Sequence, residues 1–184
     1  MAAARRAAGG VEPAATAAKV WPGSYHLARH ACAHVARAAG AAGPGGSVRV
    51  CELGAGSGLP GLATWAAGAT AVCLTELAEN TPRLREAVAL NSTAAAVSVA
   101  ALDWCAPLPD ALARETWDCV LAADCVFWPA LFDPLLDTLR ALTDDAGRTR
   151  IFLAIGERLG RLSSFVQSAE RSSLPCATSK PARL

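Results

Sequence analysis

Four acids and a cluster of glycines carry the chemistry this chain could do. Glu52, Glu76, Asp103 and Asp124 each close an apolar run, and glycines stand at 54, 56 and 58. The stretch Val48-Arg-Val-Cys-Glu-Leu-Gly-Ala-Gly-Ser-Gly-Leu-Pro-Gly61 breaks from a β-branched run into a loop, then into Ala-rich helical sequence. Glycines so close together permit positive φ at a turn and let a ligand approach the backbone with no Cβ in the way. Glu76 ends the next apolar run, Thr70-Ala-Val-Cys-Leu-Thr-Glu76, twenty-two residues after Gly54. An acid at that distance can take the hydroxyls of a ribose in a doubly wound α/β fold. The pattern predicts a site for an adenosine-containing cofactor.

Two cofactors compete for it. Gly56, Gly58 and Gly61 fit G-x-G-x-x-G, so a dinucleotide is open. A charged Glu52 beside the loop would repel a pyrophosphate, yet could hold a cofactor bearing an ammonium and a sulfonium. A dehydrogenase would also need a separate substrate domain, for which 184 residues leave little room. S-adenosylmethionine is therefore favoured.

Composition bounds the rest. A chain of 184 residues and 18.8 kDa makes one domain with a single core. Hydrophobic residues reach 53%, much of it alanine. No apolar run approaches the ~18–20 residues that span a bilayer. A net charge of +1 gives no general attraction to nucleic acid. Seven cysteines form no C-x-x-C pair, and Cys51, Cys73 and Cys119 fall in apolar runs, as small buried hydrophobes of a reducing, cytoplasmic compartment do. His26, His30 and His34 share one helix face, read as solvated rather than as a metal site.

These residues need elements to position them. Residues 1–19, Ala-rich with Arg5 and Arg6, read as a disordered leader, with a transit peptide as a minor alternative. Ser24 is placed to cap a helix running to Ala39, and Gly43-Pro-Gly-Gly46 breaks the chain before the first strand. Thr81 as cap and Pro82 at the first helical position open a helix to about Asn91. Strands are expected over Val97–Leu102, Trp117–Asp124 and Ile151–Ile155, with a helix over Pro129–Leu142. This alternation predicts an α/β fold, a Rossmann-like doubly wound, mostly parallel sheet. Ligands in such sheets sit beyond the carboxyl ends of the strands, where all four acids are expected.

Taken together the motifs resemble the class I, seven-strand methyltransferases, and within them the small non-histone protein-lysine methyltransferases. The matching pieces are Val20-Trp-Pro-Gly-Ser24, Glu52-Leu-Gly-Ala-Gly-Ser-Gly-Leu59, Leu74-Thr-Glu76, Leu102-Asp-Trp104 and Ala122-Ala-Asp-Cys-Val-Phe127. The resemblance implies that Trp21 packs on S-adenosylmethionine while Gly54, Ala55 and Gly56 wrap its amino-acid end. Glu76 would hold the ribose, Trp104 flank the adenine, Asp103 lie near the exocyclic amine, and Ala123 touch the cofactor. Asp124 and Phe127 would open and close the motif facing the substrate amine. The implied partner is a protein bearing the target lysine, met by a monomer that binds neither nucleic acid nor membrane.

Three features depart from the family pattern. Phe127 stands where a tyrosine is usual, only a low-complexity leader precedes Trp21, and no hairpin sequence follows Ile155. The methyltransferase domain is accordingly expected over residues 20–162, truncated and lacking its C-terminal hairpin, with residues 163–184 a disordered tail. Other functions kept open are methylation of a small molecule and a binding module that holds the cofactor without catalysis.

Overall fold

The apolar runs become the strands of one sheet. A computed structural model describes residues 17, 19–91, 95–144, 146–156, 161–172 and 174. Strands β1 (Arg49–Leu53), β2 (Ala71–Glu76), β3 (Val97–Ala101), β4 (Cys119–Ala123) and β5 (Arg150–Ala154) pair in parallel in the order β3-β2-β1-β4-β5. The central strands are the most apolar and the most buried, with Val50, Cys51, Leu53, Val120 and Leu121 all at 0% exposure. Parallel strands covered on both faces require such continuous runs.

Helices cover the two faces. On one lie α1 (Pro22–Ala42), α2 (Leu59–Ala66) and α3 (Thr81–Leu90), whose Leu27, Val35, Leu62 and Leu84 pack with Val50, Leu74 and Leu121. On the other lie α4 (Asp110–Ala113), α5 (Phe132–Ala141) and α6 (Arg161–Arg171), whose Leu112, Leu135, Leu139 and Phe165 pack with Cys51, Leu53 and Val120. The chain winds outward from β1 to β3, then returns to β4 beside β1. That reversal opens a crevice beyond the carboxyl ends of β1 and β4, the place where this architecture binds ligands. The expected doubly wound α/β fold is the one observed.

Several local expectations change. The stretch from Ser163 is ordered: α6 runs to Arg171, and its Phe165 meets Phe132 edge-on at 5.3 Å. Serines hid a helical stripe of Leu162, Phe165, Val166 and Ala169. Residues 175–184 and the leader before Ala17 lie outside the described residues. Ser24 caps nothing, because α1 already starts at Pro22 and Ser24 is buried in its first turn. Thr81 is likewise inside α3, its Oγ1 donating to the Ala78 carbonyl at 3.0 Å, after a 3-10 turn over Ala78–Asn80. Of the three histidines His30 is exposed and His26 and His34 are half-buried, the His34 ring lying 5.2 Å from that of Phe152. Among the described residues no helix is long and apolar enough to cross a membrane, and no strand pairs with the outer edge of β5.

Candidate functional site

The glycine loop leaves β1 at Leu53 and enters α2 at Leu59. Gly54 turns it at φ 57°, in the left-handed region that side chains disfavour. A Cβ there would also stand 3.0 Å from Cys125 Sγ and 3.2 Å from Trp104 Cζ2. The Ala55 amide ties the loop to β2 by donating to the Thr75 carbonyl at 2.9 Å. Gly61 lets α2 sit on the sheet, since a Cβ there would meet Leu74 Cδ2 at 2.3 Å and Glu52 Oε2 at 2.7 Å.

Glu52 is not at the rim. It pairs in register with Leu74, two residues short of Glu76, so it lies one step deeper in the sheet. Its side chain is 1% exposed and Oε2 accepts from the Gly61 amide at 2.8 Å, beneath the loop rather than above it. Burial pushes its carboxyl up to about 8, partly opposed by the Gly61 bond and reinforced by Glu76. Below that pH it is a neutral group, so the fixed negative charge expected beside the loop is missing. A buried carboxyl avoids its desolvation cost by keeping its proton.

Glu76 does reach the rim. Its Oε2 accepts from the Gly56 amide at 3.0 Å, and Oε1 from the Leu77 amide at 2.8 Å and from Asn80 Nδ2 at 3.2 Å. A carboxylate offers about four acceptor positions, so one on Oε2 remains for a ligand hydroxyl. Asn80, buried at 7% exposure, is a site residue the sequence reading missed. It reads there as the end of a turn, and only the fold shows its amide aimed back at Glu76. Beside them a cleft of about 290 Å³ opens between Leu77, Ala78 and Asp103, bounded by Pro107 and Pro109.

Asp124 closes β4 at φ 53°, the single non-glycine residue with positive φ among those described. Its amide donates to the Ala154 carbonyl at 2.8 Å, holding the turn to the end of β5. Its Oδ2 accepts from the Gly23 amide at 2.8 Å and Oδ1 from the Gly156 amide at 3.3 Å. The Trp-Pro-Gly turn and the Asp-x-x-aromatic motif, 101 residues apart, are thus in direct contact. Trp21 is the N-cap residue of α1, half-buried, with Lys19 Nζ 5.7 Å from its ring centre. Phe127 packs against Trp128 at 4.8 Å, and its carbonyl accepts from the Arg161 guanidinium of α6.

Trp104 leans over the β1 end against Gly54 and packs with the core. Asp103, half-buried, accepts from the Cys105 amide at 3.1 Å and borders the cleft. Ala123 ends β4 at the crevice. Cys125, given no role in the sequence reading, lies 5% exposed under Gly54, and burial followed by the charges of Glu76, Glu52 and Asp124 raises its thiol far above the ordinary range, which disfavours the reactive thiolate. The fold therefore gathers Trp21, Gly54, Ala55, Gly56, Glu76, Asp103, Trp104, Ala123, Asp124 and Phe127 around the strand ends, with Glu52 below them.

Comparisons with known proteins agree with this architecture. No curated protein matches the chain. The ribosomal protein L11 methylase of Lactobacillus delbrueckii subsp. bulgaricus shares its fold at a TM-score of 0.58 and 18% identity, over 80% of this chain and 66% of that one. This chain thus spans just under two thirds of that protein's length. Protein arginine methyltransferase 10 of Arabidopsis thaliana superposes at a TM-score of 0.46 and 19% identity, over 54% of this chain and 28% of that one. The sequence pattern of a family described as lysine methyltransferase matches residues 11–172. Since that match runs from before α1 through the end of α6, over every element that builds the crevice, the chain belongs to the lysine methyltransferase family.

Proposed function

We propose that this protein transfers a methyl group from S-adenosylmethionine to a lysine side chain of a protein substrate. The observation that carries the reading is Glu76, which fastens the glycine loop through Gly56 and, with three of its about four acceptor positions taken, keeps one for a ligand hydroxyl. The residues fit the cofactor. Gly54 makes the positive-φ turn of the loop and lets Trp104 pack close against it, and the cleft beside Glu76 is bounded by Asp103. Gly54, Ala55 and Gly56 would hold the amino-acid end, Glu76 the ribose, and Asp103 with Trp104 the adenine, with Trp21 and Ala123 in contact. Glu52 supports the loop from beneath through the Gly61 amide and, neutral below about pH 8, supplies no charge for the ammonium or sulfonium.

When bound, S-adenosylmethionine supplies an electrophilic methyl carried by a sulfonium. The chain's own part is to prepare the amine. A lysine ammonium has a reference pKa near ~10.4 and must lose its proton before it can attack. The half-buried aromatic lip of Phe127 and Trp128 favours the neutral form by withdrawing the group from water. Phe127 offers a ring without a hydroxyl, so orientation falls to Asp124, whose carboxylate is fixed at the crevice by two backbone amides. Positioning of this kind supplies most of the acceleration in a displacement that needs little acid–base help.

The reading includes a reducing, cytoplasmic compartment, which the six described cysteines, all free thiols, support, and a monomeric enzyme. Its net charge of +1 argues against a nucleic-acid substrate. Titration calorimetry with S-adenosylmethionine and its demethylated product should show binding of both, weakened at least about tenfold by Glu76→Ala. Methyl-labelled cofactor incubated with a cell lysate should label protein at lysine. Binding without any acceptor would favour a non-catalytic module, label confined to small molecules would favour the other enzyme class, and no binding at all would end the assignment.

A further inference from the structure

The amide of Gly23 stands in the first turn of α1, where helix N–H groups have no partner within the helix. Trp21, the N-cap residue, gives α1 no side-chain cap, and Ser24 gives none either. The missing acceptor comes from Asp124, 101 residues away, whose Oδ2 lies 2.8 Å from the Gly23 nitrogen. An ionised acceptor at a helix N-terminus makes a charge-assisted bond aligned with the helix dipole. The contact tolerates no side chain: a Cβ on Gly23 would lie 2.5 Å from Oδ2 and 2.8 Å from Cγ of Asp124. Asp124 itself stands in a left-handed turn, and its carboxylate is held from both sides by the Gly23 and Gly156 amides.

We infer that Gly23 is a positioning residue for Asp124: through its backbone amide it fixes the carboxylate that orients the substrate amine, and only glycine at that position permits it. The inference rests on the methyltransferase reading given above. It makes the Trp-Pro-Gly turn part of the substrate lip as well as of the cofactor wall. The 2.5 Å approach makes the Cβ of Gly23→Ala displace the carboxylate while both residues' own chemistry is unchanged.

The test compares wild type, Gly23→Ala, Asp124→Asn and the double variant in the full chain, reading kcat, KM and cofactor Kd. Asparagine tolerates the left-handed turn, so the Asp124→Asn background should fold. Gly23→Ala should lower kcat by about ten- to a hundredfold, with cofactor Kd changed by less than about threefold. In the Asp124→Asn background it should add almost nothing. An unchanged kcat, or an equal loss in both backgrounds, overturns the inference, since a purely helical effect would not depend on Asp124.

Amide exchange of wild type and Asp124→Gly gives a second measurement that needs no new side chain at 23. The Gly23 amide should be protected in wild type and lose that protection in Asp124→Gly, which suits the positive φ and removes the acceptor. Exchange as fast as an unpartnered first-turn amide in wild type overturns the contact. A wild type that binds cofactor yet methylates no lysine defeats the methyltransferase reading instead, and the amide measurement then still decides the contact.

Discussion

At position 52 a carboxyl sits where water does not reach it, and its titration sets how stability depends on pH. In the unfolded chain a glutamate titrates near ~4.3, whereas burial moves Glu52 to about 8. The folded state therefore binds more protons than the unfolded one across that interval, so stability falls as pH rises from about 4.3 to 8. Asp144, held down to about 2 by Arg148, acts in the opposite sense and in a separate, more acidic window. Glu52→Gln keeps an acceptor for the Gly61 amide and loses the titration. Its urea midpoint should not fall between pH 5 and pH 8, where burial of His34, which lowers that imidazole, adds a small rise, whereas Glu52 should cost wild type on the order of a few kcal/mol. A wild-type midpoint that holds steady over that range would refute the buried, proton-bearing carboxyl. Both the acid at 52 and its place beside the glycines were plain in the sequence. Its orientation was not, because a strand residue's side alternates with register, and register is set by the neighbouring strands.

Helix α6 shows the same limit one level up. Its serines obscured an amphipathic stripe, and its own helical tendency does little to fix it. What holds it is packing: Phe165 at 1% exposure against Phe132, and the Arg140 guanidinium donating to the Ser172 carbonyl at 2.7 Å. Short helices draw most of their stability from such tertiary contacts. Phe165→Ala should leave a cavity and cost about 3–5 kcal/mol, measurable by urea unfolding. A loss under about 1 kcal/mol would mean that α6 is not part of the cooperative core. The helix also bears on function, since Arg161 at its start donates to the Phe127 carbonyl of the lip. The helices α1 and α3 were read correctly in kind but not at their starts. Ser24 and Thr81 look like caps, yet Asp124 caps α1 from across the fold, and the Asn80 side chain before α3 is committed to Glu76.

For the molecule as a whole, the sheet order distributes stability unevenly. Strands β2, β1 and β4 lie inside, paired on both sides, with β1 and β4 at the centre of the fold's switch point, while β3 and β5 are edges whose residues are mostly half-buried. Amide exchange should accordingly be slowest in β1 and β4 and faster by a measurable margin in β3 and β5. Equal protection across all five strands would contradict a core centred on the switch point. The site straddles that most stable pair, as a preorganised site needs. Sequence alone determined the strands, the glycine turn, the acids at their ends and hence the doubly wound class, because these follow from local periodicity and from what glycine and carboxylate can do. Only the tertiary structure decided that Glu52 points down, that Asn80 steadies Glu76 and that Asp124 grips Gly23. Those pairings join residues distant along the chain, and no local pattern encodes which of them will meet.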